Sequence, residues 1–253
     1  MTKQEQHLFN YILTLGDNAM ILGHRLSELC GHGPNLETDI ALTNISLDLF
    51  GQVRSYFQYA ASLLGPDKTE DNIAHDRTER EFVNCILLEQ PNTDFAYVIC
   101  RQFLYDVYHR LILERLVNSA DETLAAIASK ALKEVKYHQH FSAEWMRRLG
   151  GGTEESNRRL QIALDDLYPY THELFQTLTC ETEAEQNGYG INPAVVKEEY
   201  ELIVREVIDQ SDLVINDLPP RFAQGKQGLH SEYMGYILAE FQFMQKTYPN
   251  LTW

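Results

Sequence analysis

The sequence is poor in positive charge: 21 Lys and Arg stand against 37 Asp and Glu, a formal net charge of −16. Nucleic-acid binding by phosphate neutralisation needs many cationic side chains, so that partner class is excluded, and an anionic membrane surface with it. The same deficit disfavours a lone high-affinity site for a polyanion and suits docking onto a basic protein surface. No C-x-x-C pair occurs. Cys30, Cys85, Cys100 and Cys180 each lie in apolar or helical stretches, as buried free thiols do, which points to a reducing compartment and no zinc site. No run of about 18 apolar residues is present, which excludes a membrane-spanning helix. The polar start, Met1 to Gln6, has no apolar signal core, and a cytoplasmic location is expected. A glycine-rich phosphate loop, a nucleophile elbow, an internal repeat and an alternating strand pattern are all missing. Apolar residues at 44% and charged residues at 23% exclude disorder.

What is there is helical periodicity. Leu8, Ile12, Leu15, Leu22, Leu26 and Leu29 repeat at helical spacing, which predicts a first helix from about Gln4 to Cys30, stopped by Gly31-His32-Gly33-Pro34. A second runs from about Glu37 to Leu64 and ends at Gly65-Pro66. It would span roughly 40 Å, a length typical of helix bundles. Residues 66 to 92 read as a crossover with a short helix. Further long helices are expected over about Thr93 to Asn118 and Asp121 to Leu149, antiparallel because so few residues separate them. Beyond Gly150-Gly151-Gly152, helices are expected over about Thr153 to Leu178, Pro193 to Asp209 and Glu232 to Lys246. Cys180 to Asn192 reads as a loop. The economical architecture is a single all-α domain over residues 1–253: a four-helix bundle over about 4–149 and a helical extension over about 153–253.

Long bundles of this kind house carboxylate-bridged di-iron centres, which take a Glu from each of two helices and a Glu-x-x-His from each of the other two. The i, i+3 spacing places carboxylate and imidazole on one helix face. None of the nine histidines has a glutamate three residues before it. The nearest approach is Asp106-Val107-Tyr108-His109. In Val135-Lys136-Tyr137-His138 the first position cannot bind metal. On the second helix a partly polar lane, Asn44, Asp48, Gly51, Gln52 and Ser55, can face the bundle axis. Asp48 stands where a ligand carboxylate would stand, and Gly51 stands where histidine would be needed. On the first helix Asp17, Ile21, His24 and Glu28 share a face. On the fourth, Leu124, Ala128, Ala131, Val135, His138, Ser142 and Trp145 form an apolar stripe, so Val135 and His138 point inward. Asp48 and Asp106, if buried, need partners, expected among Arg110, His138, Asn44 and Gln52. Asp106 and Arg110, four apart, read as an ion pair. The bland readings of these residues are a hydrogen-bonded core histidine at His138 and tyrosines and tryptophans that pack.

Several strings together carry a family resemblance: Leu15-Gly16-Asp17-Asn18 with His24-Arg25-Leu26; Asn44 to Gln52; Glu89-Gln90-Pro91-Asn92; Lys133 to His138; and Gly228 to Gly235. They resemble the C subunits of bacterial phenylacetyl-CoA 1,2-epoxidases, over about residue 8 to Trp253. The resemblance implies a ferritin-like fold and a place in a multicomponent oxygenase. There a homologous A subunit carries the di-iron site, a reductase with flavin and an iron–sulfur centre supplies electrons from NADPH, and the C subunit is a structural partner without the iron ligands. Where the A subunit has Glu-x-x-His on its second helix, this chain has Asp48-Leu49-Phe50-Gly51. Where it has Lys-Glu-Glu-x-Phe-His on the fourth, this chain has Lys133-Glu134-Val135-Lys136-Tyr137-His138. The ligand Glu falls on Val135, and His138 survives.

The expected function is therefore a non-catalytic subunit bound permanently to the A subunit and joined to other subunits of the complex. No catalytic, cofactor-binding or metal-binding residue is assigned to this chain, and Asp48, Gly51, Asp106, Val135 and His138 are vestigial ligand positions. Two alternatives stay open. One is an active di-iron oxygenase or oxidase with Asp48, Asp106, His109, Glu134 and His138 as unorthodox ligands. The other is a bundle that binds a small molecule in its polar axis.

Overall fold

The computed structural model describes residues 1–248; the last five residues of the expected C-terminal extension lie outside the described residues. Four long helices make the frame: α1 (Lys3–Ser27), α2 (Leu36–Leu64), α4 (Phe95–Leu116) and α5 (Glu122–Gly150), with a short α3 (Glu70–His75) in the crossover between the two pairs. Each long helix begins where a short polar side chain caps its first turn. Thr2, Asn35, Asp94 and Asp121 accept from the backbone N–H of Glu5, Thr38, Tyr97 and Leu124. At α1 the Glu5 carboxylate accepts in turn from the Thr2 N–H and closes a capping box. α1 packs along α2 and α4 along α5, and α2 against α5 joins the two pairs. The result is an all-α, ferritin-like bundle with further helices at its C-terminal end. Among the described residues there is no strand beyond one isolated bridge, Gln224 to Leu229.

α4 is the helix most enclosed. Ala96 to His109 are buried without interruption, because α5 covers one side and α6 (Glu154–Leu167) and α8 (Lys197–Asp209) cover the other. A helix apolar on all sides needs neighbours on all sides; the C-terminal helices supply that cover. At Gly150 a Cβ would collide with the Ser211 carbonyl, so glycine there lets the end of α5 meet the end of α8.

The structure changes several expectations. The helix from Thr153 ends at Leu167 and continues as a 3₁₀ turn over Tyr168–Phe175; Pro169 has no N–H to bond back and its ring crowds the preceding turn. The stretch expected to be a loop from Cys180 holds a helix, α7 (Thr179–Gln186), packed on α1. Its acidic sequence hid an inward face made of Cys180, Glu181 and Ala184. The last helix divides into α9 (Glu232–Phe241) and α10 (Phe243–Thr247). Cys30 is exposed rather than buried, because α1 stops at Ser27, short of it; the other three cysteines are buried and free.

Candidate functional site

The polar groups on the bundle axis come from α2, α4 and α5. His138 on α5 is wholly buried. Its Nε2 meets Asp48 Oδ2 on α2 at 3.0 Å, and the Asp48 side chain is 37% exposed, at the edge of the α2–α5 seam. One turn further along α2, Gln52 donates to Glu134 at 3.2 Å. Deeper in, Asp106 on α4 accepts from Gln102 Nε2 at 2.7 Å and from Ser142 Oγ on α5 at 2.8 Å. Burial pushes the Asp106 carboxyl up to about 7, against the opposing pull of His138 and the two hydrogen bonds. His109 is buried one turn away and pushed down to about 3, by burial first and by nearby His138 second. Gln52 Oε1, Gln102 Oε1, His109 Nδ1 and His138 Nδ1 are buried with no protein partner.

Of the expected pairings, Asp48 with His138 forms. Asp106 with Arg110 does not. Arg110 is only half-buried and lies 3.8 Å from Glu114, while Asp106 points fully inward to amide and hydroxyl donors. A neutral or shared-proton carboxyl needs hydrogen bonds more than it needs a cation. Asn44 is exposed and takes no part. Val135 is fully buried. Gly51 faces open space, where an added Cβ would meet nothing.

α1 brings no carboxylate to the axis. Asp17 is fully buried but turns toward the crossover, where Arg77 grips both its oxygens, one at 2.8 Å, and the Val83 N–H donates to it at 3.0 Å. His24 stacks on Phe241 of α9, 4.5 Å between ring centres, and burial lowers it to about 4. Glu28 pairs with Arg25. The ligand set proposed for a di-iron centre, Asp48, Asp106, His109, Glu134 and His138, therefore does not converge. Among the described residues no group of three or more His, Cys, Asp or Glu side chains is placed to hold a metal ion. The residues present do not fit a carboxylate-bridged di-iron pair, which needs four carboxylates and two histidines around one point.

Asp106 makes a pH test of this arrangement. Its folded value lies above its ordinary 3.8, so the folded state holds a proton that the unfolded state has released. Stability is unaffected below about pH 4, falls as pH rises toward 7, and then levels off. Asp106→Asn removes that slope. The stability difference between variant and parent, read from urea unfolding, should grow by on the order of 4 kcal/mol at most across that window. Parallel pH profiles for the two proteins would show that Asp106 is ionised in the fold.

The residues that sequence reasoning missed are buried charges paired across long stretches of chain. Glu89 is wholly buried. It accepts from Asn84 Nδ2 at 2.9 Å, from the Ser231 N–H at 2.8 Å and from Ser231 Oγ at 2.6 Å, and it lies 2.6 Å from His230 Nδ1. His230 Nε2 donates to the Phe82 carbonyl at 2.9 Å. Lys226, also buried, donates to both oxygens of Glu181 at 2.8 and 3.0 Å. Its N–H donates to Glu173, which accepts from the Ile86 N–H as well. These bonds pin residues 226–231 onto the crossover and onto α7. No periodicity signals them, since the partners stand up to 142 residues apart.

The fold and its axis define a class: a ferritin-like helical subunit with a hydrogen-bonded polar lane between α2, α4 and α5. Comparison with known sequences places the chain more narrowly. The family described as "Phenylacetic acid catabolic protein" matches residues 1–253, and the chain belongs to that family. It is 42% identical over 243 residues to the C subunit of the 1,2-phenylacetyl-CoA epoxidase of Escherichia coli (strain K12), across 96% of this chain and 98% of that relative.

Proposed function

We propose that this chain is a non-catalytic structural subunit of a multicomponent oxygenase that epoxidises the aromatic ring of phenylacetyl-CoA in aerobic phenylacetate degradation. The observation that carries the reading is the axis. By resemblance Val135 stands where the catalytic subunit has a ligand carboxylate and Gly51 where it has a histidine, and the polar groups that remain on the axis are hydrogen-bonded to one another. The name of the Escherichia coli relative supports the same assignment. Its permanent partner is a homologous catalytic subunit with the di-iron site, served by a reductase with NADPH, flavin and an iron–sulfur centre, and the setting is cytoplasmic. Among the described residues no helix is long and apolar enough to cross a membrane.

The partner interface should bury about 2,000 Å² or more in total, as permanent interfaces do. Exposed Leu36, Ile40 and Leu47 on α2 and Tyr137 on α5 are the kind of apolar and aromatic side chains such an interface uses. The test is turnover of phenylacetyl-CoA with NADPH, reductase and catalytic subunit, with and without this chain. Omission should abolish or cut activity by more than tenfold. Full activity without it would end the scaffold reading. Loading the isolated chain anaerobically with ferrous iron should leave far less than one iron per chain; about two irons with an oxo-bridge absorption band would favour the active-oxygenase alternative.

A further inference from the structure

Away from the bundle axis, a cleft of about 660 Å³ opens between the N-terminal half of α1, the crossover around α3 and the start of α7. Its size lies within the range of small-molecule sites. Phe9, Leu13, Leu64, Ile73, Val83 and Leu178 give it apolar walls. Its polar lining divides into groups already committed and groups left over. Arg77 is spent on Asp17, on the Ile73 carbonyl at 2.6 Å and on the Glu81 carbonyl at 3.1 Å. Lys226 is spent on Glu181 and on the Gln176 carbonyl. The two acids on the rim serve local turns: Glu81 accepts from the N–H and hydroxyl of Thr78 at 2.8 and 2.7 Å, and Asp76 accepts from Asn72 at 2.8 Å.

The groups left over include two cations, beside one free oxygen on each of the two acids among the described residues. Lys68 makes no ion pair or side-chain hydrogen bond among the described residues, and Arg80 makes one contact, to the Gly228 carbonyl at 3.3 Å. Thr179 and Cys180, the first two residues of α7, also line the cleft, and their N–H groups have no partner within the helix. In a chain with a large negative excess, a cleft lined by the cations Lys68, Arg77, Arg80 and Lys226 against the acids Asp76 and Glu81, with free helix N–H donors at one end, favours negative charge, and its walls favour hydrocarbon. We propose that this cleft binds an organic monoanion with an apolar body, of the medium-chain carboxylate class, its head group held by Lys68 and Arg80. The site stands apart from the axis and does not rest on the oxygenase reading.

The probe is 8-anilinonaphthalene-1-sulfonate fluorescence on the full-length chain, displaced by decanoate or by uncharged decanol. Decanoate should displace the dye at one site per chain and bind at least tenfold more tightly than decanol. Reversing both rim charges, Lys68→Glu with Arg80→Glu, should weaken decanoate tenfold or more and leave decanol unchanged. Both side chains are exposed, so the fold should survive, which circular dichroism checks. Reversal at Lys133 and Lys136 on α5 should change neither ligand. Absence of saturable displacement, equal affinity for decanol, or indifference to the rim reversal would each overturn the site, the second by showing an apolar groove only.

Discussion

Replacing Arg77 by methionine should cost about 3–5 kcal/mol of folding stability, a large share of what a domain of this size has to lose. Asp17 is fully buried, and among the described residues Arg77 is the cation that reaches it. Removing the guanidinium leaves a carboxylate without countercharge in an apolar surround. Arg77 also lies over the Phe82 ring at 4.0 Å and the Phe57 ring at 5.3 Å, so part of the loss is cation–π contact. The double variant Asp17→Asn, Arg77→Met should recover much of the loss, because it removes the stranded charge and keeps the Val83 N–H bonded. Urea unfolding of the four proteins in the cycle reads the coupling. A single variant within 1 kcal/mol of the parent would show that Asp17 finds other partners or water.

The second large effect lies at Glu89. Glu89→Ala strands four hydrogen-bond partners at once, on Asn84, His230 and Ser231, and should destabilise by about 3–5 kcal/mol. Its effect should concentrate in the C-terminal segment. Once residues 226–231 are no longer pinned, α9 loses its anchor, and Phe241 should leave its stack on His24. Hydrogen exchange should therefore rise in 224–241 before it rises in α4. The pair also carries a pH signature. Burial alone would lower His230, but the hydrogen bond and charge of Glu89 outweigh it and raise the imidazole above its ordinary 6.5. The stabilisation is fully present below that value and is lost as pH rises through the raised folded value. Alkaline unfolding profiles of the parent should slope down there, and His230→Gln should flatten the slope. Uniform exchange across the chain in Glu89→Ala would argue that the pin is not local.

Asp106 and His230 thus act in adjoining ranges. The first erodes stability from about pH 4 to about 7, and the second from 6.5 upward through its raised folded value. Both are groups whose folded form holds a proton, so both favour the acidic side, and neither behaves as a surface ion pair would under added salt.

Much of the fold was legible because helices are local. The stops at Gly31 to Pro34, Gly65-Pro66 and Gly150 to Gly152, with the helical period between them, fix the four long helices to within a few residues. The inward direction of Val135 and His138 followed from the 3.6-residue period, and so did the incomplete ligand pattern. α7 was not legible, since an acidic eight-residue helix owes its stability to docking on α1 rather than to propensity. The break at Leu167 has a local cause in Pro169, which lies inside the single helix expected over Thr153 to Leu178.

The sequence by itself determined the bundle, the spacing of its inward polar residues and the want of a Glu-x-x-His, because each depends on neighbours within a few turns of one helix. Only the tertiary structure decided where the charges went. Arg77 on Asp17, His230 on Glu89 and Lys226 on Glu181 join residues 45 to 141 positions apart. Such pairs are fixed by which buried carboxylate lacks a partner once the helices have packed, and a buried charge takes whatever donor the folded chain brings within reach.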